Sequence, residues 1–282
     1  MTPNPTQHQA QQQTQQQTQS FRDTLFDRFR LDGLTALVTG AGPGLGFAVA
    51  RAFAAAGAAV ALCARSQDKV DRAVRTIEDD GGTALGIVAD VARAEDLERF
   101  VELARDQLGP IQILFNNAAS HAGQNLDGLM TDPLSLTAEQ WQSHFDVNLL
   151  APYRLAQLVV PEMKARGYGS IVNVTAVAGY RPKPHIGSIA YAATKAGLTM
   201  MTRQLAKECG PEVRANMICP GSLHPTGEMR EIWAPSMAGV PLGRVGRSDE
   251  AVGAALLLAS PASSYTTGTT IFVDGGRVSA AA

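Results

Sequence analysis

The chain has 282 residues, with 24 Lys plus Arg against 26 Asp plus Glu and a formal net charge of -2. Binding along a phosphate backbone needs an excess of cations, so nucleic acid is not an expected partner. Hydrophobic residues at 45% and no Gly-X-Y period exclude a wholly disordered or collagen-like chain. Cys63, Cys209 and Cys219 form no CxxC and no zinc-like spacing with His, so no metal is expected and a reducing cytoplasm fits.

Residues 1–20 are rich in Gln, with Gln11–Gln13 and Gln15–Gln17 as runs. They lack the apolar core of a secretory signal and read as a disordered tail. A single domain is expected over residues 21–282. Phe21, Leu25, Phe26 and Phe29 have the spacing of a short amphipathic lead-in. The body then alternates strand and helix patterns. Thr35–Thr39 predicts a buried strand, Gly46–Ala56 a helix closed by Gly57, Ala59–Cys63 a strand and Gln67–Asp80 a helix. Ala84–Val88, Glu95–Leu108 and Ile111–Phe115 continue as strand, helix, strand. Ala138–Ala165 predicts one long helix bent near Pro152. Ser170–Val174, Tyr191–Glu208, Arg214–Ile218, Asp249–Ala259 and Thr270–Val273 complete the alternation. The apolar stretch Ala52–Ala64 is broken by Gly57 and falls short of the roughly 20 residues of a membrane span. Nearly all-apolar strands separated by helices imply a parallel sheet covered on both faces, an α/β doubly wound three-layer fold.

The first strand runs into Gly40-Ala-Gly-Pro-Gly44-Leu45-Gly46. Such a turn lets backbone approach a pyrophosphate, and the following helix aims free N–H groups at it. The second strand ends at Ala64-Arg65, with no carboxylate to hold a ribose 2′-hydroxyl and a guanidinium placed for a 2′-phosphate. This favours NADP(H) over NAD(H). Asp90, after the third strand, suits an adenine amino group, and Asn117, after the fourth, suits holding the loop beside the cofactor. Tyr191 and Lys195, at i and i+4, share a helix face, where an ammonium stabilises a phenolate and the Tyr serves as acid/base.

These motifs occur in one order: TGxxxGxG at Thr39–Gly46, Asp90, NNAA at Asn116–Ala119, DVN ending at Asn148, IVNV at Ile171–Val174, YxxxK at Tyr191–Lys195, PG at Pro220–Gly221 and VDGG at Val273–Gly276. In that order the chain resembles the short-chain dehydrogenase/reductase family over about residues 31–276. The resemblance implies a Rossmann-like seven-stranded sheet, a nicotinamide cofactor, a small-molecule carbonyl or alcohol substrate, and a homotetramer or homodimer. It places Gly40, Gly44 and Gly46 along the pyrophosphate and Asp90 with Val91 at the adenine. Tyr191 becomes the acid/base, Lys195 the ribose ligand that lowers the Tyr pKa, and Asn148 the holder of a relay water.

Two positions depart from the family pattern. The usual Ser falls at Ala176 by motif alignment, or at Ala178 by counting back from Tyr191, because the segment before Tyr191 is about two residues longer than usual. Loss of one such donor costs about 10²–10³ in rate. Thr175, Ser188, or a group on the substrate are the open replacements; the other reading is an NADP(H)-binding relative with reduced or non-redox activity. The extra segment brings Arg181, Lys183 and His185 to the expected substrate mouth. After Pro220-Gly221, Pro225 stands where the family has a Thr, and Thr226 would take that role with one extra loop residue. Glu228–Gly239 is the expected lid, with Met229, Trp233 and Met237 as apolar contacts. Ser120 and His121 face the same cleft by resemblance.

Overall fold

The computed structural model describes residues 21, 24–123, 132, 134–182, 189–229, 237 and 239–280. The tail over residues 1–20 lies outside them. Helical residues 24–27 keep Leu25 and Phe26 exposed, and Leu31 is the first fully buried anchor.

The body alternates β1 (Thr35–Thr39), α1 (Leu45–Ala55), β2 (Ala59–Ala64), α2 (Gln67–Asp79), β3 (Thr83–Val88), α3 (Ala94–Leu108) and β4 (Ile111–Asn116). It continues with α4 (Ala138–Phe145), α5 (Ala151–Ala165), β5 (Gly169–Val174), α6 (Ile189–Cys209) and β6 (Val213–Pro220). A two-residue ribbon, β7 (Leu223–His224) with β8 (Gly246–Arg247), precedes α7 (Val252–Ala259) and β9 (Thr270–Val273). Predicted boundaries shift by one to three residues, as expected where ends fray and hydrogen bonding decides. The ribbon was not anticipated, since two residues carry no period.

One sheet has seven strands in the order β3-β2-β1-β4-β5-β6-β9, all pairs parallel. Strands β1 and β4 are neighbours, so the order reverses between them. Ligands of doubly wound sheets bind outside the strand C-termini at this reversal. Helices cover both faces. Val49, Phe53 and Leu258 pack with Val38, Val60 and Phe115 on one face; Leu97, Phe100, Leu155 and Val159 pack with Leu37, Ala61 and Leu114 on the other. Phe53 meets Phe115 edge-on at 5.8 Å.

The long helix expected over Ala138–Ala165 is interrupted by a π turn at Asp146–Leu150. Pro152 has no N–H for the carbonyl of Asn148, four residues earlier. The Ala151 N–H instead reaches back five residues to the Asp146 carbonyl. This wider turn carries Asn148, and such turns recur at functional sites. Helix α6 is also irregular in chemistry: its buried residues include Thr194, Lys195, Thr199 and Thr202. The three threonine hydroxyls donate to carbonyls of the helix itself, and Lys195 alone of the four lines a cleft at the strand C-termini.

Candidate active site

A cleft of about 850 Å³ opens at the strand C-termini. Its floor begins at the glycine turn. Gly40, with φ 72°, passes so close to β4 that a Cβ would lie 2.8 Å from Ala118 Cα. Gly44 precedes α1 with φ 139°, and a Cβ there would meet open space. No side chain caps the start of α1 and its first turn holds no acid, so the helix opens beside the cleft with its first N–H groups uncapped by a side chain. Gly40, Gly44 and Leu45 line the cleft, whereas Gly46 does not. A Cβ on Gly46 would collide with the Gly40 carbonyl oxygen and come 2.5 Å from Asn117 Nδ2. Glycine at this position lets the start of α1 pack against the Gly40 carbonyl and the Asn117 amide.

Asn117 ties this turn to β4. Its Nδ2 donates to the carbonyls of Thr39 (3.1 Å) and Gly40 (2.9 Å), while its N–H donates to Thr39 Oγ1 at 3.0 Å. At the end of β2 the cleft wall is Ala64, Arg65, Ser66 and Lys69. Lys69 was missed in the sequence. It sits in the first turn of α2, where the helix dipole disfavours a cation; that mismatch was the available signal. Asp90 and Val91 line the far end. The Asp90 N–H donates to Asp96 Oδ2 at 2.8 Å, so Asp96, held below the usual carboxylate range by that bond and by Arg99, positions the turn.

Tyr191, Lys195 and Thr175 meet on the opposite wall with Pro220 and Gly221. Lys195 Nζ donates to the Val174 carbonyl at 2.7 Å and lies 5.8 Å from the Tyr191 ring centroid. Burial pushes the Tyr191 phenol up to about 12 and the Lys195 ammonium down to about 8. In the protein alone burial therefore outweighs the expected lowering of the phenol by Lys195. His121 stacks on the Tyr191 ring at 5.8 Å and 23°, and His144 meets it edge-on at 6.1 Å. His144 Nε2 donates to the Ala122 carbonyl at 3.0 Å, leaving Nδ1 to accept from Asn148 Nδ2 at 3.4 Å. Burial holds this His below its ordinary pKa. His144 was also missed, because only the π turn brings it and Asn148 behind the Tyr.

Asn148 is fully buried and not on the cleft wall. Its Oδ1 accepts from the Ser120 N–H at 2.8 Å and its Nδ2 donates to Thr194 Oγ1 at 3.0 Å. It braces the Ser120 loop from behind. Ser120 and Ser143, both on the wall, share a hydrogen bond of 2.9 Å.

The remaining expected residues divide. Thr175 is buried and lines the cleft, but its hydroxyl donates to the Ile218 carbonyl at 3.2 Å. Ala176 supplies no hydroxyl. Ser188, Lys183, His185 and Trp233 lie outside the described residues. Arg181 does not line the cleft; its Nη1 donates to the Arg277 carbonyl at 2.7 Å, beside the C-terminal segment. Thr226 is exposed and paired with His224 Nδ1 at 2.9 Å, and Pro225 occupies the cleft wall instead. The geometry thus does not bring Thr226 to the role foreseen for it. Met229 is exposed, and Met237 packs with Val240 and Val245.

A parallel sheet reversing between β1 and β4, with a glycine-opened helix at the reversal and a Tyr/Lys pair lining the same cleft, is the architecture of a dinucleotide-binding fold. A family model described as enoyl-(acyl carrier protein) reductase matches residues 40–277. Dehydrogenase/reductase SDR family member 4 of Bos taurus is 39% identical over 256 residues, covering 88% of each chain. A structure of 7 alpha-hydroxysteroid dehydrogenase with NADH and 7-oxo glycochenodeoxycholic acid superposes with TM-score 0.81 at 32% identity, over 89% of this chain and 97% of that one. A gluconate 5-dehydrogenase from Burkholderia cenocepacia with NADP and tartrate gives TM-score 0.80 at 34% identity, over 91% and 99%. The chain belongs to the short-chain dehydrogenase/reductase family of oxidoreductases.

Proposed function

We propose that the protein is an NADP(H)-dependent oxidoreductase that interconverts a ketone and a secondary alcohol on a small molecule, with Tyr191 as acid/base. The observation that carries this is the placing of Tyr191 and Lys195 on one wall of a cleft whose other end holds Arg65 and Lys69. The residues fit the cofactor: Gly44 leaves open space over the uncapped start of α1, and no carboxylate stands at Ala64 to repel a 2′-phosphate. A bound nicotinamide supplies or accepts the hydride. Leu45, Gly40 and Gly44 would border its pyrophosphate, Arg65 and Lys69 the 2′-phosphate, and Asp90 with Val91 the adenine. The Tyr191 hydroxyl gives a proton to the substrate oxygen in reduction, and its phenolate takes the alcohol proton in oxidation. Burial holds the phenol protonated at neutral pH, so in the protein alone it carries the proton that reduction consumes. Lys195 is still largely charged at pH 7 and assists loss of that proton.

Tyr191→Phe tests the reading. Turnover with NADPH across a ketone panel should vanish while NADPH affinity stays within about twofold, because only the proton donor is removed. Undiminished turnover would sink the assignment.

A second reading has its own support. With Ala176 in place and the Thr175 proton given to Ile218, the reduced or non-redox alternative keeps cofactor binding and loses hydride transfer. Tight NADPH binding without a fall in nicotinamide absorbance over a broad panel favours it, and product mass separates dehydration or isomerisation from reduction. Assembly as a homodimer or homotetramer is proposed from the exposed Trp141, Phe145, Tyr153 and Met200 on α4, α5 and α6. A cytoplasmic setting is proposed from the three buried thiols. No described helix is long and apolar enough to cross a membrane.

A further inference from the structure

A second cavity, of about 490 Å³, adjoins the cleft at Leu223, which lines both. Its walls are largely apolar, with Leu223, Val240, Leu242 and Phe272 among them. Arg277 also lines it, and is only 7% exposed. Its Nη1 is buried and has no hydrogen-bond partner among the described residues.

Two carboxylates border the same cavity, and both are engaged elsewhere. Glu250 accepts from Arg244 Nη1 (2.8 Å), Arg244 Nη2 (2.6 Å) and the Arg247 N–H (2.6 Å). Asp274 accepts from the N–H groups of Gly276 (2.9 Å) and Val278 (2.8 Å), closing the turn that carries Arg277. Burial, and then the like charge of Arg181, hold Arg277 below its ordinary pKa, against the opposing charge of Asp274.

Arg214 in the same chain is an internal comparison. It too is 7% exposed, yet its Nη1 donates to the Leu258 carbonyl (3.0 Å) and Ser263 Oγ (2.7 Å), and its Nη2 to the Ser260 carbonyl (3.3 Å). Both terminal amino groups of this buried guanidinium are bonded. An arginine cannot shed its proton, and a buried charge without a partner is costly. The Arg277 turn is also pressed against the cavity: Cβ atoms on Gly275 and Gly276 would lie 2.9 Å from Val240 Cγ1 and Pro241 Cγ. The guanidinium is therefore held beside the cavity with one amino group lacking a hydrogen-bond acceptor among the described residues.

We propose that this cavity binds an organic carboxylate with an apolar body, its carboxylate on Arg277 and its body along Leu223, Val240, Leu242 and Phe272. A singly charged anion suits a site that two carboxylates border, and the apolar walls disfavour a bare inorganic ion. The site does not depend on the oxidoreductase reading, because binding is measured without turnover.

The test is calorimetric titration of the full chain with octanoate and with the neutral octanamide. Octanoate should bind more tightly by on the order of tenfold or more, the worth of a charge-assisted hydrogen bond in a buried site. Arg277→Met should erase that preference and leave NADPH affinity unchanged. Leu242 is exposed at the cavity edge. Leu242→Glu should therefore fold normally and weaken octanoate alone. Octanoate that competes with the ketone places the far end of the substrate in the cavity; octanoate that binds without raising KM makes it a separate effector site. Either supports a carboxylate site. Equal affinity for octanoate and octanamide, or no heat with either, overturns it.

Discussion

Gly46→Ala separates two roles that a glycine in this turn can play. If Gly46 lined the pyrophosphate, alanine would weaken cofactor binding and leave stability alone. The structure predicts the reverse order of effects. The new methyl would run into the Gly40 carbonyl oxygen and sit 2.5 Å from Asn117 Nδ2. Overpacking of this kind costs about 1–3 kcal/mol. Moving the Asn117 amide aside also releases its bonds to the Thr39 and Gly40 carbonyls, each worth about 1 kcal/mol. The lower entropy of the unfolded alanine chain returns about 0.4–1 kcal/mol. A net loss of about 2–4 kcal/mol follows, a large share of the roughly 5–15 kcal/mol that stabilises a typical domain. Gly42→Ala is the control, since the nearest atom to its Cβ is Lys69 Cδ at 3.8 Å. Urea unfolding followed by circular dichroism should show a clearly lower midpoint for Gly46→Ala at unchanged slope, and a midpoint for Gly42→Ala within about 0.5 kcal/mol of the parent. Equal midpoints for the two variants would refute the packing argument.

Arg65→Ala and Lys69→Ala should each raise the KM for NADPH by on the order of tenfold and leave NADH little changed, because each removes one charged partner of a 2′-phosphate; equal effects on the two cofactors in steady-state kinetics would reject the NADP(H) preference. Lys195 falls from the ordinary 10.5 to about 8 on burial, so between those values the unfolded chain binds the extra proton. Its contribution to stability must then rise with pH above about 8, by up to about 1.4 kcal/mol per unit. Urea midpoints of the parent and Lys195→Met, compared from pH 7 to 9.5, should converge in the parent's favour as pH rises; a constant difference would contradict a depressed lysine. Ala176→Ser returns the family hydroxyl, and if a missing donor limits the reaction kcat should increase by about tenfold or more. An unchanged kcat would point to a donor already present, for which the Ser120–Ser143 pair on the cleft wall is the first place to look.

Much of the architecture was legible because strands and helices announce themselves by period. Burial of every residue of β1 and β5 matches their mostly apolar sequences, with Thr35, Thr39, Ser170 and Asn173 as the buried polar exceptions, and the parallel order follows from strand-helix alternation. The Tyr191/Lys195 pair was legible for a similar reason, since helical spacing alone puts both on one face. The break at Asp146–Leu150 was less visible: Pro152 predicted a bend, but only hydrogen bonding determines that it becomes a π turn.

Residue types, their order and their spacing thus determined the family and the sheet, because these depend on local pattern and chain order. Tertiary structure decided which side chain faces which neighbour. It packed Gly46 against the Gly40 carbonyl and the Asn117 amide, brought Lys69 beside Arg65, set His121 and His144 around Tyr191, and sent Arg181 to the C-terminal segment. The near-neutral charge of the chain likewise concealed two buried arginines that differ, Arg214 with both terminal amino groups bonded and Arg277 with a buried Nη1 that has no hydrogen-bond partner among the described residues. Net charge is a sum over the chain, whereas the cost of a buried cation depends on the few atoms that close around it.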